Sequence, residues 1–315
     1  MNRAACTNHD RHARLDSHIT TLLPQALPPH ASNPALFTLG ILPFAYIFAT
    51  LEESWTELSE KAYNGRAETL RHALAGPEVE NLRRNLRRTD RFRADLSHLQ
   101  SLSRKRRRPS SAQTPFNGVD AVGAESAACR TCSAFLTATR SRSRHPQGSN
   151  DTLTAPHLTA RTRASIERKP HLLIAHVYVW YMAVLSGGRY LRRSLVDVEP
   201  GFWGHGSCDS DVGFSFLSAE AGVKEALKAQ LAAWDNMLTE SERAEVVRET
   251  QVVYELTIEL VRALEGEIPM MAGQARDEGL AESQPAQMLG LSQGVTVPWY
   301  GGGFGGSFQW LWHLW

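Results

Sequence analysis

The sequence predicts an all-α fold, and three observations point there. No stretch keeps the apolar/polar alternation of a half-buried strand. Apolar residues instead recur three and four apart, as in Leu82, Leu86, Phe92, Leu96 and Leu99. The joints between such segments carry helix punctuation: Asn33-Pro34, Gly76-Pro77 and Thr239-x-x-Glu242. The composition, 42% hydrophobic and 21% charged, is that of a globular chain. Four cysteines in 315 residues exclude a disulfide scaffold and fit a reducing compartment.

Taken in order, residues 1–22 read as a polar amphipathic helix ending near Leu22-Leu23-Pro24. Four of the fifteen prolines fall in Pro24–Pro34, which reads as a loop. Asn33-Pro34 supplies an N-cap and a proline whose missing N–H is harmless in a first turn. The run ALFTLGILPFAYIFATLEESWTEL is then a buried helix with a kink expected at Pro43. Residues 67–102 are helical and charged, broken at Gly76-Pro77.

Residues 103–160 break every pattern. They hold RKRRRPSS, a Gly/Ala/Ser stretch, a lone Cys129-x-x-Cys132 and Arg140-Ser-Arg-Ser-Arg144, and read as a disordered basic insertion. Residues 101–170 carry 13 basic and 4 acidic side chains, so the chain of net charge +1 is an acidic protein with a basic segment spliced in. Cys129-x-x-Cys132 lacks the second pair that a zinc site needs. The basic runs also suit nuclear targeting or nucleic-acid binding, but a solvated loop explains them more simply, and no nucleic-acid partner is expected.

Order is expected to resume near Thr162. His171–Leu195 is a second apolar helix, Gly201–Gly213 a loop, and Ser218–Leu238 an amphipathic helix. The Thr239/Glu242 capping box opens a last helix over about 240–266, striped by Val246, Val247, Val253, Tyr254, Ile258, Val261 and Leu264. The domain division is therefore 1–102 and 161–266 as two halves of one helical domain, 103–160 as the insertion, and 267–315 as a flexible tail. With no run of 18 apolar residues and no apolar N-terminal region, neither a transmembrane anchor nor a secretory signal is expected, and a cytoplasmic monomer is. The aromatic tail WYGGGFGGSFQWLWHLW has the composition to touch a membrane surface or to pack on the domain.

The residues most suggestive of function are Leu185-Ser186-Gly187-Gly188, set in an apolar helix. Two glycines there cost about 1 kcal/mol each relative to alanine. Such a pair marks a kink, tight helix packing, or a flat ligand lying against the backbone. At the N-terminus His9, His12 and His18 sit among Arg3, Arg11 and Arg14. Imidazole suits iron, although histidines in such a place are commonly solvated.

Together these pieces resemble the heme oxygenase family, over about 1–102 and 160–266. His12-Ala-Arg-Leu-Asp16 is similar to the family's proximal-ligand segment, and Tyr46-Ile-Phe-Ala-Thr-Leu-Glu-Glu53 to its second helix. Leu-Leu-x-Ala-His-x-Tyr followed by Leu-Ser-Gly-Gly, within His171–Gly188, is similar to its distal helix. Gly213-Phe-Ser-Phe216 and Glu249–Leu264 align as well, and the Leu22–His30 connection looks more like fungal members.

The resemblance implies a multi-helical domain with heme sandwiched between proximal and distal helices, heme being both substrate and cofactor. His12 is implied as the axial iron ligand, with His9 a rival. Ser186, Gly187 and Gly188 are implied as the catalytic face, and Tyr178, Ala183, Val184, Lys228 and Tyr254 as heme-binding positions. Tyr178 and Lys228 fall where the family holds the propionates; read simply, they are a core aromatic and a solvated lysine. Tyr254 falls on a pocket-lining aromatic position and equally on the core stripe. The implied reaction opens the ring to biliverdin and releases CO and iron, with O2 and an electron-donating reductase as partners.

Four positions depart from the family. Ala183-Val184 stand where it has Gly-Asp, Trp180 where it has arginine, and Ala232 where it has a basic residue. The aspartate organises distal water, which valine cannot do. Ser186 is the remaining hydroxyl able to anchor such a water. These departures motivate an alternative, a non-catalytic heme-binding protein on the same fold. A third reading is a helical interaction protein acting through its basic insertion.

Overall fold

The computed structural model describes residues 15, 18, 19, 21–62, 64–106, 155–204 and 212–277, with side chains at 103–106 and 267–277 excepted. Among the described residues there is no strand. The helices run in order: α1 Ala35–Glu60, α2 Arg66–Ala75, α3 Pro77–Leu86, α4 Thr89–Arg106, α5 Ala155–Arg168, α6 Leu173–Met182, α7 Gly188–Val196, α8 Pro200–Trp203, α9 Val223–Met237 and α10 Glu240–Asp277. A 3₁₀ turn, Pro170–Leu172, leads into α6, and a second, Ser215–Leu217, precedes α9. Between α6 and α7 lies a π-helical turn, Ala183–Gly187.

Central in the bundle, α1 packs against α4 and α5, while α6 packs along α10. The side chain of Asn33 accepts the Ala35 N–H at 2.9 Å, but the N-cap itself is Pro34, one residue later than expected. The helix runs on through Pro43. The other punctuation holds: Pro77 is the first residue of α3. In the Thr239/Glu242 box each side chain takes the other residue's amide, at 2.8 and 3.2 Å.

Long-range caps close the short helices. Trp55 of α1 and Trp234 of α9, with ring centroids 6.0 Å apart, donate their indole N–H groups to Leu74 O and Ala73 O. They thereby satisfy carbonyls orphaned at the end of α2. A break at 87–88, not foreseen in 67–102, separates α3 from α4. Buried Arg88 sits in it and donates to the carbonyls of Asn85, Leu86 and Arg87. Burial, and then the nearby charge of Arg91, pull its guanidinium down to about 10. Glu52 of α1 accepts the Arg88 and Thr89 amides at the start of α4. Burial raises its carboxyl despite those bonds.

Several expected boundaries move. Helix resumes at Ala155, several residues before Thr162. The expected helix over Ser218–Leu238 begins at Val223, after the left-handed Gly222. The last helix passes Gly266, and Pro269 and Gly273 after it, and continues to Asp277. In the N-terminal segment residues 21–25 are helical, so the helix passes Leu22. Leu22 packs with Val261 and Leu264 beside Leu15, Ile19, Leu36 and Phe44.

The expectation of no helix able to span a bilayer is corrected for the described residues. Ala35–Glu60 and Pro170–Val196 are long and apolar enough by length and composition, with 18-residue windows of mean hydropathy 1.7 and 1.2. Counting unbroken apolar runs missed them because isolated small and polar residues interrupt the runs. Of those windows 61% and 83% are buried inside the fold. Core helices surrounded by other helices have this composition.

Candidate functional site

The site is built around the helix from Pro170 to Val196. All ten residues of α6, Leu173 to Met182, are buried, which suits a segment apolar on every side. Its root is held by charge. His176, fully enclosed, lies 3.4 Å from Glu249 Oε1 of α10. Ser165 donates to the same oxygen and Arg161 to Oε2, both at 2.9 Å. Burial opposes ionisation of Glu249, but His176, Ser165 and Arg161 outweigh it and hold the carboxyl at about 2. One turn earlier His171 pairs with Glu245 at 2.7 Å.

The tip is different. The expected glycine-pair kink takes the form of the π-helical turn, a widening that concentrates at functional sites. The two glycines have separate roles. A Cβ on Gly188 would stand 3.4 Å from Leu217 Cδ2 and 3.5 Å from Leu217 O, so this glycine is a packing contact. A Cβ on Gly187 would meet nothing within 4 Å. Packing and an open backbone, alternatives in the sequence, thus fall on neighbouring residues. Ala183 is exposed, Ser186 and Gly187 are half-buried, and Val184 is buried.

The turn that touches Gly188 is itself tied down. Asp95 of α4 accepts the amides of Gly213 and Phe216, at 3.1 and 3.0 Å, one on each carboxylate oxygen. Phe92 stacks on Phe216 with centroids 4.2 Å apart, and Arg91 donates to Ser218 O. Gly213 has φ +104°, and a Cβ there would lie 3.3 Å from the Trp203 ring, so glycine is required at this point. Burial raises the Asp95 carboxyl even against these donors.

Cations gather beside the tip. Lys224 and Lys228 share a face of α9, and Arg189 follows Gly188 directly. Burial lowers the Lys224 pKa, and the charges of Lys228 and Arg189 lower it further. Tyr178 is buried on α6 and Tyr254 on α10, where burial pushes its hydroxyl well up. Behind the turn, Trp180 meets Phe44 and Phe48 edge-on at 6.2 and 6.3 Å. Its buried Nε1 has no hydrogen-bond partner among the described residues. Tyr181 donates to Glu52 at 3.3 Å.

His9 and His12 lie outside the described residues, as do Cys129-x-x-Cys132, Arg140–Arg144 and the aromatic tail; of the first basic run, Arg104–Arg106 end α4, a few residues into the expected insertion, and the rest lies outside. His18 is described and engaged, with Glu265 at 2.8 Å and Arg262 at 3.4 Å. No cluster of metal-ligating side chains occurs among the described residues.

Sequence reasoning passed over Asp95, Glu249 and Leu217. A signal existed for the acids. Asp95 falls among Phe92, Leu96 and Leu99, and Glu249 between Val246 and Val253, so each interrupts a stripe that should be buried. Leu217 carried no signal, because its role is a contact with a remote glycine.

Residues 142–263 match the family model described as heme oxygenase. Over those residues the chain is similar to heme oxygenases. A solved structure, heme oxygenase 2 from Chlamydomonas reinhardtii without heme, shares the fold of this chain with a TM-score of 0.54. The two are 18% identical over 83% of this chain and 95% of the other. Among curated proteins no sequence matches this chain. The residues at the tip fit the group that this family acts upon. Gly187 leaves backbone uncovered where a flat ring would lie, and the cations beside it carry the charge that its carboxylates would need.

Proposed function

We propose that this chain binds heme against the Ala183–Gly187 turn and opens its ring to biliverdin, releasing CO and iron. The observation that carries this reading is the division of labour at the glycine pair: Gly188 is packed and Gly187 is bare. A side chain at Gly187 would stand between a flat ligand and the helix axis. Its absence exposes backbone without weakening the packing, which Gly188 provides.

Bound heme would supply the iron at which O2 is reduced and the meso carbon that is oxidised. The chain's own residues bind, orient and exclude water. His12 would hold the iron. Lys228 and Tyr178, with Lys224 and Arg189, hold the carboxylate edge and so fix the rotation of the ring. Val184, Trp180, Phe44 and Phe48 make the side behind the turn apolar. Val184 brings no hydrogen bond to the distal face, so the Ser186 hydroxyl is the group that holds a proton near it, as acceptor and donor for a water. Electrons come from a separate reductase.

The test is a hemin titration followed by turnover. Hemin is added to the purified chain and the Soret band recorded; an electron donor and oxygen follow, with catalase present. The expected result is a saturable Soret shift that decays to biliverdin absorbance with CO trapped. A Soret shift that persists, or bleaches without biliverdin, would mean heme binding without ring opening. No saturable binding would overturn the reading. Hemin binding by His9→Ala but not by His12→Ala is expected; the reverse would transfer the ligand to His9.

A further inference from the structure

We infer that Asp95 is a positioning residue for the Gly187-Gly188 turn, acting at a distance through Leu217; this rests on the reading of that turn as the heme face. The chain of contacts is short and continuous. The Asp95 carboxylate holds two amides of the segment 213–217, one on each oxygen, at 3.1 and 3.0 Å. Both donors are buried with it. Between them the segment is bent by Gly213 and closed by the turn Ser215–Leu217. The last residue of that turn presents its side chain and its carbonyl to Gly188, at the distances where a Cβ would sit in van der Waals contact. Gly188 is covalently next to the bare Gly187, so the depth of Leu217 sets how far Gly187 projects.

A carboxylate suits this position for a reason of valence. Both amide donors converge from the same segment, and only a group with two acceptor oxygens receives both. Asparagine offers one oxygen; its NH2 would face an N–H and push one amide away. A π-helical turn is a local widening with poorer hydrogen bonds than the flanking helix, so an outside support has leverage on it. The brace is independent of the acid network at the root of the helix, which reaches α5 and α10 but not this segment.

Two measurements test the assignment. The first uses the hemin-free chain and hydrogen exchange. Asp95→Asn should raise amide exchange at least tenfold in 213–217 and also in 184–188, with α5 and α10 unchanged. Leu217→Ala should raise it in 184–188. Faster exchange in 213–217 alone would show that the brace stops at the loop and would overturn the inference. Uniformly faster exchange throughout the chain would do the same, by reducing Asp95 to a stability residue. Should Asp95→Asn fail to fold, Asp95→Glu, which keeps the charge and displaces it by one methylene, is read in the same way.

The second is a double-mutant cycle on hemin affinity. Asp95→Asn is expected to weaken binding roughly tenfold in the parent chain and to have little further effect in a Leu217→Ala background. Additive losses would mean that Asp95 does not act through Leu217. Absence of hemin binding by the parent chain would defeat the proposed function and leave the exchange result standing on its own.

Discussion

The two ends of the helix from Pro170 to Val196 are built on opposite principles. At the root, histidines face carboxylates of α10, with Arg161 and Ser165 completing the set around Glu249. At the tip, the turn from Ala183 to Gly187 has apolar residues behind it, a single half-buried hydroxyl, and a glycine with nothing opposite. A buried charge set is costly to disturb, because removing one member strands the others. An apolar contact against glycine gives way gradually with volume. The root therefore fixes the helix by charge, and the tip is held by packing against Leu217.

The largest effect is expected from breaking the root. Glu249→Leu removes the acceptor shared by Arg161 and Ser165 and the carboxylate facing His176, and should cost about 3–5 kcal/mol, read as a lower urea midpoint. No comparable loss is expected from any single change at the tip. The same group gives a pH signature. Its folded carboxyl is held at about 2, below its ordinary value of 4.5. A depressed acid contributes stability that is complete above the unfolded value and vanishes as the pH falls through the folded one. The parent chain should thus lose up to about 3 kcal/mol from this group between pH 4.5 and 2, and Glu249→Gln should flatten that slope. Equal slopes for both proteins would show that Glu249 is not ionised at the root.

Substitutions at the tip sharpen the contrast between adjacent glycines. Gly188→Leu drives atoms into Leu217 and should cost about 1–3 kcal/mol in chemical denaturation. Gly187→Ala meets no neighbour and gains helix propensity, so the hemin-free chain should become more stable by about 0.5–1 kcal/mol. Hemin binding should weaken at the same time by about tenfold, near 1.4 kcal/mol, in a Soret titration. Unchanged affinity would remove Gly187 from the ligand face. The smallest change in stability belongs to Ser186→Ala, within about 0.5 kcal/mol. Its expected effect is on product, a biliverdin yield reduced at unchanged hemin affinity; full yield would discard Ser186 as the proton-holding group.

Much of this frame was legible in the residues. Punctuation by Asn33, Pro77 and the Thr239/Glu242 pair placed helix starts because caps act within one turn of backbone. The apolar stripe of α4 named its buried face, with Phe92, Leu96 and Leu99 all fully enclosed. Helix ends were less legible. Gly76-Pro77 announced the stop of α2, but the caps Trp55 and Trp234 come from elsewhere in the chain, and the stop of α3 before Arg88 carried no Gly or Pro to announce it.

By itself the sequence determined the helical class, the order of the helices, and the glycine pair as the unusual feature of an otherwise apolar segment. Each follows from periodicity and backbone preference, which are properties of neighbouring residues. Tertiary structure alone decided that Gly188 is packed and Gly187 bare, that Asp95 reaches across to the turn beside them, and that Glu249 anchors the far end. Those outcomes depend on which distant side chain arrives at a given place. Two glycines side by side look alike in a sequence; only the position of Leu217 distinguishes them.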